Sequence, residues 1–551
     1  MNNKFLTPLQ LWQDFNPIKE GLDISYIGIE KKDGLIYKSA YYTAETDSNN
    51  EKARIHAHVI CQDNNRKKPI IIVVGDINKS INEVVMREVA EAGYLAIGCD
   101  YSCVEANEEK ATKYPETMQN ARYEVARNNL YNTNESIANS CWYIWAKVIR
   151  RLIAVASVEP KADADNIGIL GIKRGTYMAW QIASMDGRIK AMASVLGHEL
   201  GKYKDNSADN LDPSTVNWKA GVAAESYAKF MTTPVLTIFP TNSKENNIDN
   251  LSDLMQNLPE ETEKTLVLEE RRNNHITKSA MGTLKRWFGN KLKNTDFPTA
   301  PELNICPTPT GIVYSIKADT SKTIKQVKLC YSYNEETPAF RNWIVLEVTP
   351  QGELYSGTLD LTESSKYRIF ASVLYSDCFF LSTPIETYSP IKQNISSHSA
   401  KKSYILYDSK QGVDCFTSVN DSLEILENND PFLEKCENGI YGITTNNDGV
   451  ITYKIGDITC LKETDSTLQI DVHSLEDVEV RIIIETVNEN NEILQYYEDC
   501  AISSAIEWSK LSLDLQDFKT DKMISLKSWA EAKSLIIKSG KKILLNNILF
   551  V

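Results

Sequence analysis

Residues Asn166 to Trp180 read NIGILGIKRGTYMAW. Asn166–Leu170 is a short apolar run that follows a polar turn. Gly171-Ile172-Lys173-Arg174-Gly175 is a tight turn bounded by glycines, and Thr176 onward has the character of a helix start. A strand, a sharp turn and a helix are therefore expected, with Lys173 at the apex. Glycines belong on both sides of such an apex, because the central backbone is strained and neighbouring strands approach closely.

On the N-terminal side, DISYIGIE, LIYKSAYYTA and ARIHAHVICQ alternate polar and apolar residues between positions 20 and 62, predicting a strand meander. Pro69–Gly75 (PIIIVVG) and Tyr94–Asp100 (YLAIGCD) are continuous apolar runs, as expected of parallel strands buried on both faces. Residues 80–92 have helical spacing. Residues 102–132 are polar and read as an insertion. In the long helix expected over Ser136–Val158, Trp142, Trp145, Ile149, Leu152 and Ile153 fall at steps of three and four, a stripe that reads as core.

On the C-terminal side, strands are expected at Lys190–Leu196, Pro234–Phe239 and Lys264–Glu269. Helices are expected at Asp249–Leu258 and Ile276–Leu292, and residues 198–230 read as a polar lid. Strands alternating with helices predict an α/β domain with a mostly parallel sheet, whose ligands bind at the C-terminal strand edge. The pattern changes at Asn294–Pro301. Short strands follow at sandwich-like spacing up to residue 388, then a polar, Ser-rich stretch over 389–402, then another β-rich segment. The expected domains are an α/β domain over 1–298, an Ig-like β-sandwich over 299–392, and a jelly-roll, carbohydrate-binding-like sandwich over 393–551.

Composition bounds the function. A chain of 551 residues is too long for one core. Its net charge of −14 argues against a nucleic-acid partner and an anionic membrane surface. No run of about 18 apolar residues suggests a membrane span. The eleven cysteines are scattered and lack any C-x-x-C, a pattern that suits free thiols in a reducing compartment. With no apolar leader at the N-terminus, a cytoplasmic location is expected, or export if a leader has been removed.

The stretch at 166–180, TPVLTIFPTNSKENNIDN after the strand at 234–239, and Arg271-Arg272-Asn273-Asn274-His275 carry a family resemblance. Residues 20–300 resemble the acetylxylan-esterase and dienelactone-hydrolase-like branch of the α/β-hydrolases. There the turn reads G-x-S-x-G, and the triad follows in the order Ser, Asp or Glu, His. The resemblance implies a nucleophile position at Lys173, an acid position at Ser243 and a base position at His275. It also implies an oxyanion region at Gly75 and Asp76, with Arg174 and Glu199 beside the pocket. Two of the three triad positions are changed. A Lys ammonium with an ordinary pKa near 10.4 is protonated at pH 7 and cannot attack a carbonyl. Ser243 carries no charge to stabilise an imidazolium. An Asp76–Lys173 ion pair filling the site is the expected arrangement, with Glu199 joining it.

No dinucleotide fingerprint, phosphate loop, H-E-x-x-H motif or EF-hand is present, so no cofactor or metal is expected. His56 and His58 share one face of a strand but have no evident third ligand. The first functional reading is a pseudo-esterase that binds a ligand or partner, with carbohydrate or another protein as candidates. The second is an active carboxylic-ester hydrolase on acetylated carbohydrate or small esters. The third is a scaffold protein using its β-sandwiches as contact surfaces.

Overall fold

The computed structural model describes residues 6–19, 21–105, 107, 110–131, 133, 136–198, 213–308, 311–361, 366–389, 401–413, 415–419, 430–444 and 449–551. The chain forms two compact units. The first comprises residues 1–239, 245–267 and 279–300, and the second residues 240–244, 268–278 and 301–551.

The first unit is an α/β-hydrolase-like domain on a mixed sheet. Its strands are β1 (Ser25–Lys32), β2 (Leu35–Thr46), β3 (Lys52–Gln62), β4 (Lys68–Val74), β5 (Leu95–Cys99), β6 (Ala162–Ile172), β7 (Ile189–Val195), β8 (Val235–Pro240) and β9 (Lys264–Glu269). Their order is β1-β2-β3-β5-β4-β6-β7-β8-β9. The first three form the expected meander, and β3 pairs antiparallel with β5. From β5 through β4, β6 and β7 to β8 every pairing is parallel. The two continuous apolar runs are β4 and β5, each buried along its whole length. A strand covered on both faces has no polar side to alternate with.

Helices Glu83–Glu91, Cys141–Ser157, Gly175–Met185, Asn250–Gln256 and Lys278–Lys293 lie where helical periodicity predicts them, within a few residues. Ser140 caps the longest one by accepting a hydrogen bond from Tyr143 N–H. Trp142 and Trp145 on that helix are fully buried, as the stripe implies. Of the polar segment read as a lid, residues 199–212 lie outside the described residues. The part that follows forms the helices Pro213–Gly221 and Ala224–Ala228. Among the described residues no helix is long and apolar enough to cross a membrane.

Among the described residues the second unit is all-β apart from short helical turns. One four-stranded sheet is built on Glu302–Thr308, Gly311–Lys317 and Leu354–Asp360. A separate antiparallel set is built on Ile324–Tyr333 and Tyr367–Tyr375. Towards the C-terminus a six-stranded and a five-stranded sheet enclose a common apolar core that includes Leu468, Ile470, Ile482, Ile484, Leu535 and Ile537. That is β-sandwich architecture. The loops that follow β8 and β9, residues 240–244 and 268–278, belong to this second unit. The nucleophile position is thus built in one unit, and the acid and base positions in the other.

Candidate functional site

The turn after β6 has the backbone of a nucleophile elbow. Lys173 sits at φ +52°, in the left-handed region that a side chain with a Cβ rarely adopts. Its N–H donates to Val195 O at 3.0 Å, and its carbonyl accepts Thr176 N–H and the Thr176 hydroxyl at 3.1 and 2.6 Å. The flanking glycines are required by contact. A Cβ at Gly175 would lie 2.2 Å from Gly75 O, and one at Gly171 would lie 2.7 Å from Thr176 Cα. The helix that follows is pressed against the end of β4, which is how this turn presents its apex residue.

The side chains depart from the expectation in one respect. Asp76 does not pair with Lys173. Its carboxylate is held in a two-point contact by Arg174, Nε to Oδ1 at 2.8 Å and Nη2 to Oδ2 at 3.1 Å. The planar guanidinium fork matches the two carboxylate oxygens, which a single ammonium cannot do. Burial lowers the affinity of Arg174 for its proton, but the hydrogen bond and charge of Asp76 prevail and raise it. Asp76 Oδ1 also accepts Ile77 N–H at 2.8 Å, and the N–H groups of Gly75 and Lys79 are donated within the same turn. Those three groups are therefore already engaged and do not await an oxyanion.

Lys173 is buried, only 6% exposed, and no hydrogen bond or ion pair engages its ammonium among the described residues. Burial pushes its pKa below the ordinary lysine value, opposed by the charges of Glu245 and Asp76. Glu245 instead contacts His198, with Oε2 2.8 Å from Nε2. That hydrogen bond is the main reason the carboxylate stays below the usual glutamate range. Glu199 lies outside the described residues.

In the second unit, Ser243 at the acid position is buried, in a loop knitted by its neighbours. Asn242 Nδ2 donates to the carbonyls of Ala339 and Arg341 at 3.2 and 2.9 Å, and Lys244 Nζ lies 2.5 Å from Glu485 Oε1. His275 at the base position is 3% exposed. Its Nε2 accepts a hydrogen bond from Arg272 Nη1 at 2.9 Å, and Arg272 is in turn paired with Asp430. A nitrogen that accepts from a guanidinium carries no proton, so the ring proton resides on Nδ1. That Nδ1 is buried and has no hydrogen-bond partner among the described residues. Burial, reinforced by the charge of Arg272, lowers the His275 pKa to about 4. This ring is neutral at pH 7, and Nε2, the nitrogen that would take a nucleophile's proton in a working triad, is engaged by Arg272, while Nδ1 has no carboxylate bonded to it among the described residues.

Residues 55–221 match the dienelactone hydrolase family. This segment is a dienelactone hydrolase family domain. It contains the elbow and Lys173, and it ends before Ser243 and His275. A search of curated proteins finds no match. Among solved structures, the chain resembles acetyl xylan esterase 1 from Thermoanaerobacterium sp. JW/SL YS485 at 13% identity, covering 53% of this chain and 95% of that one, with a TM-score of 0.39. An acetyl xylan esterase from Paenibacillus sp. R4 gives 12% identity, 53% and 96% coverage, and a TM-score of 0.41. A glucuronoyl esterase from Solibacter usitatus gives 11% identity, 52% and 91% coverage, and a TM-score of 0.37. None of these likenesses assigns a reaction to this chain.

Reading the sequence missed three partners: Arg174 for Asp76, Arg272 for His275, and Glu245 for His198. Arg272 stands three residues before His275, and Glu245 two residues after Ser243. Both are close enough in sequence to be noticed, but only the loop geometry shows which groups they meet. The His56–His58 pair is also resolved. His58 Nδ1 lies 2.5 Å from Glu83 Oε1, and His56 Nε2 lies 2.5 Å from Ser39 Oγ. Among the described residues no cluster of three or more His, Cys, Asp or Glu side chains is arranged to hold a metal ion.

Proposed function

We propose that this chain is a pseudo-esterase: an esterase-like α/β-hydrolase scaffold that binds a ligand or partner without hydrolysing it. The observation that carries the reading is at the base position, where His275 Nε2 is occupied by Arg272 and, among the described residues, Nδ1 has no hydrogen-bond partner. The lysine at the elbow apex supports it independently. Losing one triad member removes most of the rate, and here none of the three positions has its working chemistry. The sequence resemblance to acetylxylan esterases favours a carbohydrate, or a protein that accompanies one, as the bound partner. We read the β region as an immunoglobulin-like sandwich over 299–392 and a jelly roll over 393–551, offering further contact surface.

A second reading, an active ester hydrolase with its nucleophile elsewhere, draws on the Ser39–His56 contact. Against it, His56 Nδ1 has no partner to orient the ring, and burial with the neighbouring His58 lowers its pKa to about 4, too weak a base for the task. A fluorophosphonate that labels activated serines separates the two. The pseudo-esterase reading expects no labelled peptide. Stoichiometric labelling of any serine, Ser39 included, overturns it.

A further inference from the structure

The first unit contains a concavity that shares no residue with the elbow. A cleft of about 720 Å³ lies along β1, the start of β2 and the first turns of the Glu83–Glu91 helix. Its volume is in the range of small-molecule sites. Four cations line it, Lys32, Lys38, Arg87 and Lys110, against two carboxylates, Glu30 and Glu83. One of these six is neutralised locally: Lys38 Nζ lies 2.5 Å from Glu159 Oε2, whereas Glu83, in contact with His58, keeps its negative charge. Three cations then face two carboxylates. Arg87 has only a long, exposed contact to Glu91 at 3.8 Å, and Lys32 and Lys110 have no carboxylate within ion-pair distance among the described residues. The cleft is therefore locally basic in a chain whose net charge is −14.

The wall also carries fixed hydroxyl chemistry. Ser39 lines the cleft, and its Oγ is anchored 2.5 Å from Nε2 of the fully buried His56. Tyr37 lies beside it, two positions back on the same face of β2. Ile27 and Ile29 of β1, 48% and 64% exposed, supply an apolar flank. We propose that this cleft binds a small hydroxylated carboxylate, with the carboxylate at Arg87 and Lys110 and the hydroxyls at Ser39 and Tyr37. Lys and Arg side chains on an open wall attract an anion against the sign of the whole molecule, and salt weakens that attraction.

The test is calorimetric titration of the full chain at low salt with gluconate, and with sorbitol, which has the same hydroxylated chain and no carboxylate. The expected result is saturable binding of one gluconate per chain, at least tenfold weaker binding of sorbitol, and weakening with added sodium chloride. Arg87→Ala and Lys110→Ala should each raise the Kd about tenfold, the scale of one charge-assisted hydrogen bond, while Lys173→Ala leaves it unchanged. Thermal melts establish that the variants are folded. Equal binding of sorbitol, no saturation by gluconate, or an unchanged Kd in the folded double variant overturns the proposal. So does a self-association that Ile29→Glu abolishes, since the cleft would then be an interface between copies.

Discussion

A backbone torsion of +52° at Lys173 places a four-carbon amine at the apex of the turn after β6. The Asp76 carboxylate is held by the Arg174 guanidinium next to Lys173. That pair is partly buried, Asp76 8% and Arg174 23% exposed. Asp76→Ala strands the guanidinium, so urea unfolding should show a loss of about 2 kcal/mol, below the usual figure for breaking a buried pair because Arg174 reaches solvent. Removing both partners in an Asp76→Ala/Arg174→Met variant should destabilise less than the sum of the single changes. His275 yields a pH dependence. Its folded pKa of about 4 lies below the ordinary 6.5, so between those values the unfolded chain binds more protons. Stability from this group is therefore full above pH 6.5 and declines as pH falls towards 4, by roughly 3 kcal/mol over the window. Denaturation at pH 7 and pH 5 should show a smaller difference in His275→Gln than in the native chain. Both pairings were hidden in the sequence for the same reason. Neighbouring cations, Lys173 and Arg174 or Arg271 and Arg272, look equivalent until side-chain direction and fork geometry choose between them.

The element that carries the site is the β6 strand, its turn and the helix from Gly175. This unit was the most legible part of the chain, because buried parallel strands are continuous apolar runs and the two glycines mark a turn no other residue fits. Gly175→Ala forces a Cβ onto backbone atoms of the β4 turn, and the urea midpoint should fall by the equivalent of about 3 kcal/mol or more. Gly187→Ala, where nothing lies within 4 Å of the added Cβ, should change stability by no more than about 0.5 kcal/mol. Strand β1 was harder to interpret. Its alternation predicts one buried face, yet every residue in it is exposed, because it sits at the sheet edge with the cleft beside it. Period two shows that a strand forms, but not whether anything covers it.

Across the whole molecule, the division into an α/β half and a β half is visible as the loss of helical periodicity after Asn294. The finer partition is not. The loops at 240–244 and 268–278 fold with the second unit although they interrupt the first in sequence, a long-range association that local patterning does not encode. The segment that matches the dienelactone hydrolase family keeps the elbow backbone, with Lys173 at its apex, while Ser243 and His275 lie in loops that fold with the second unit. The direct measurement is the steady-state hydrolysis of 4-nitrophenyl acetate by the native chain beside Lys173→Ala. A disarmed site gives the same rate for both, equal to that of the buffer with an inert protein. Turnover by the native chain well above that background would contradict the pseudo-esterase reading, and its loss in Lys173→Ala would place the chemistry at the lysine.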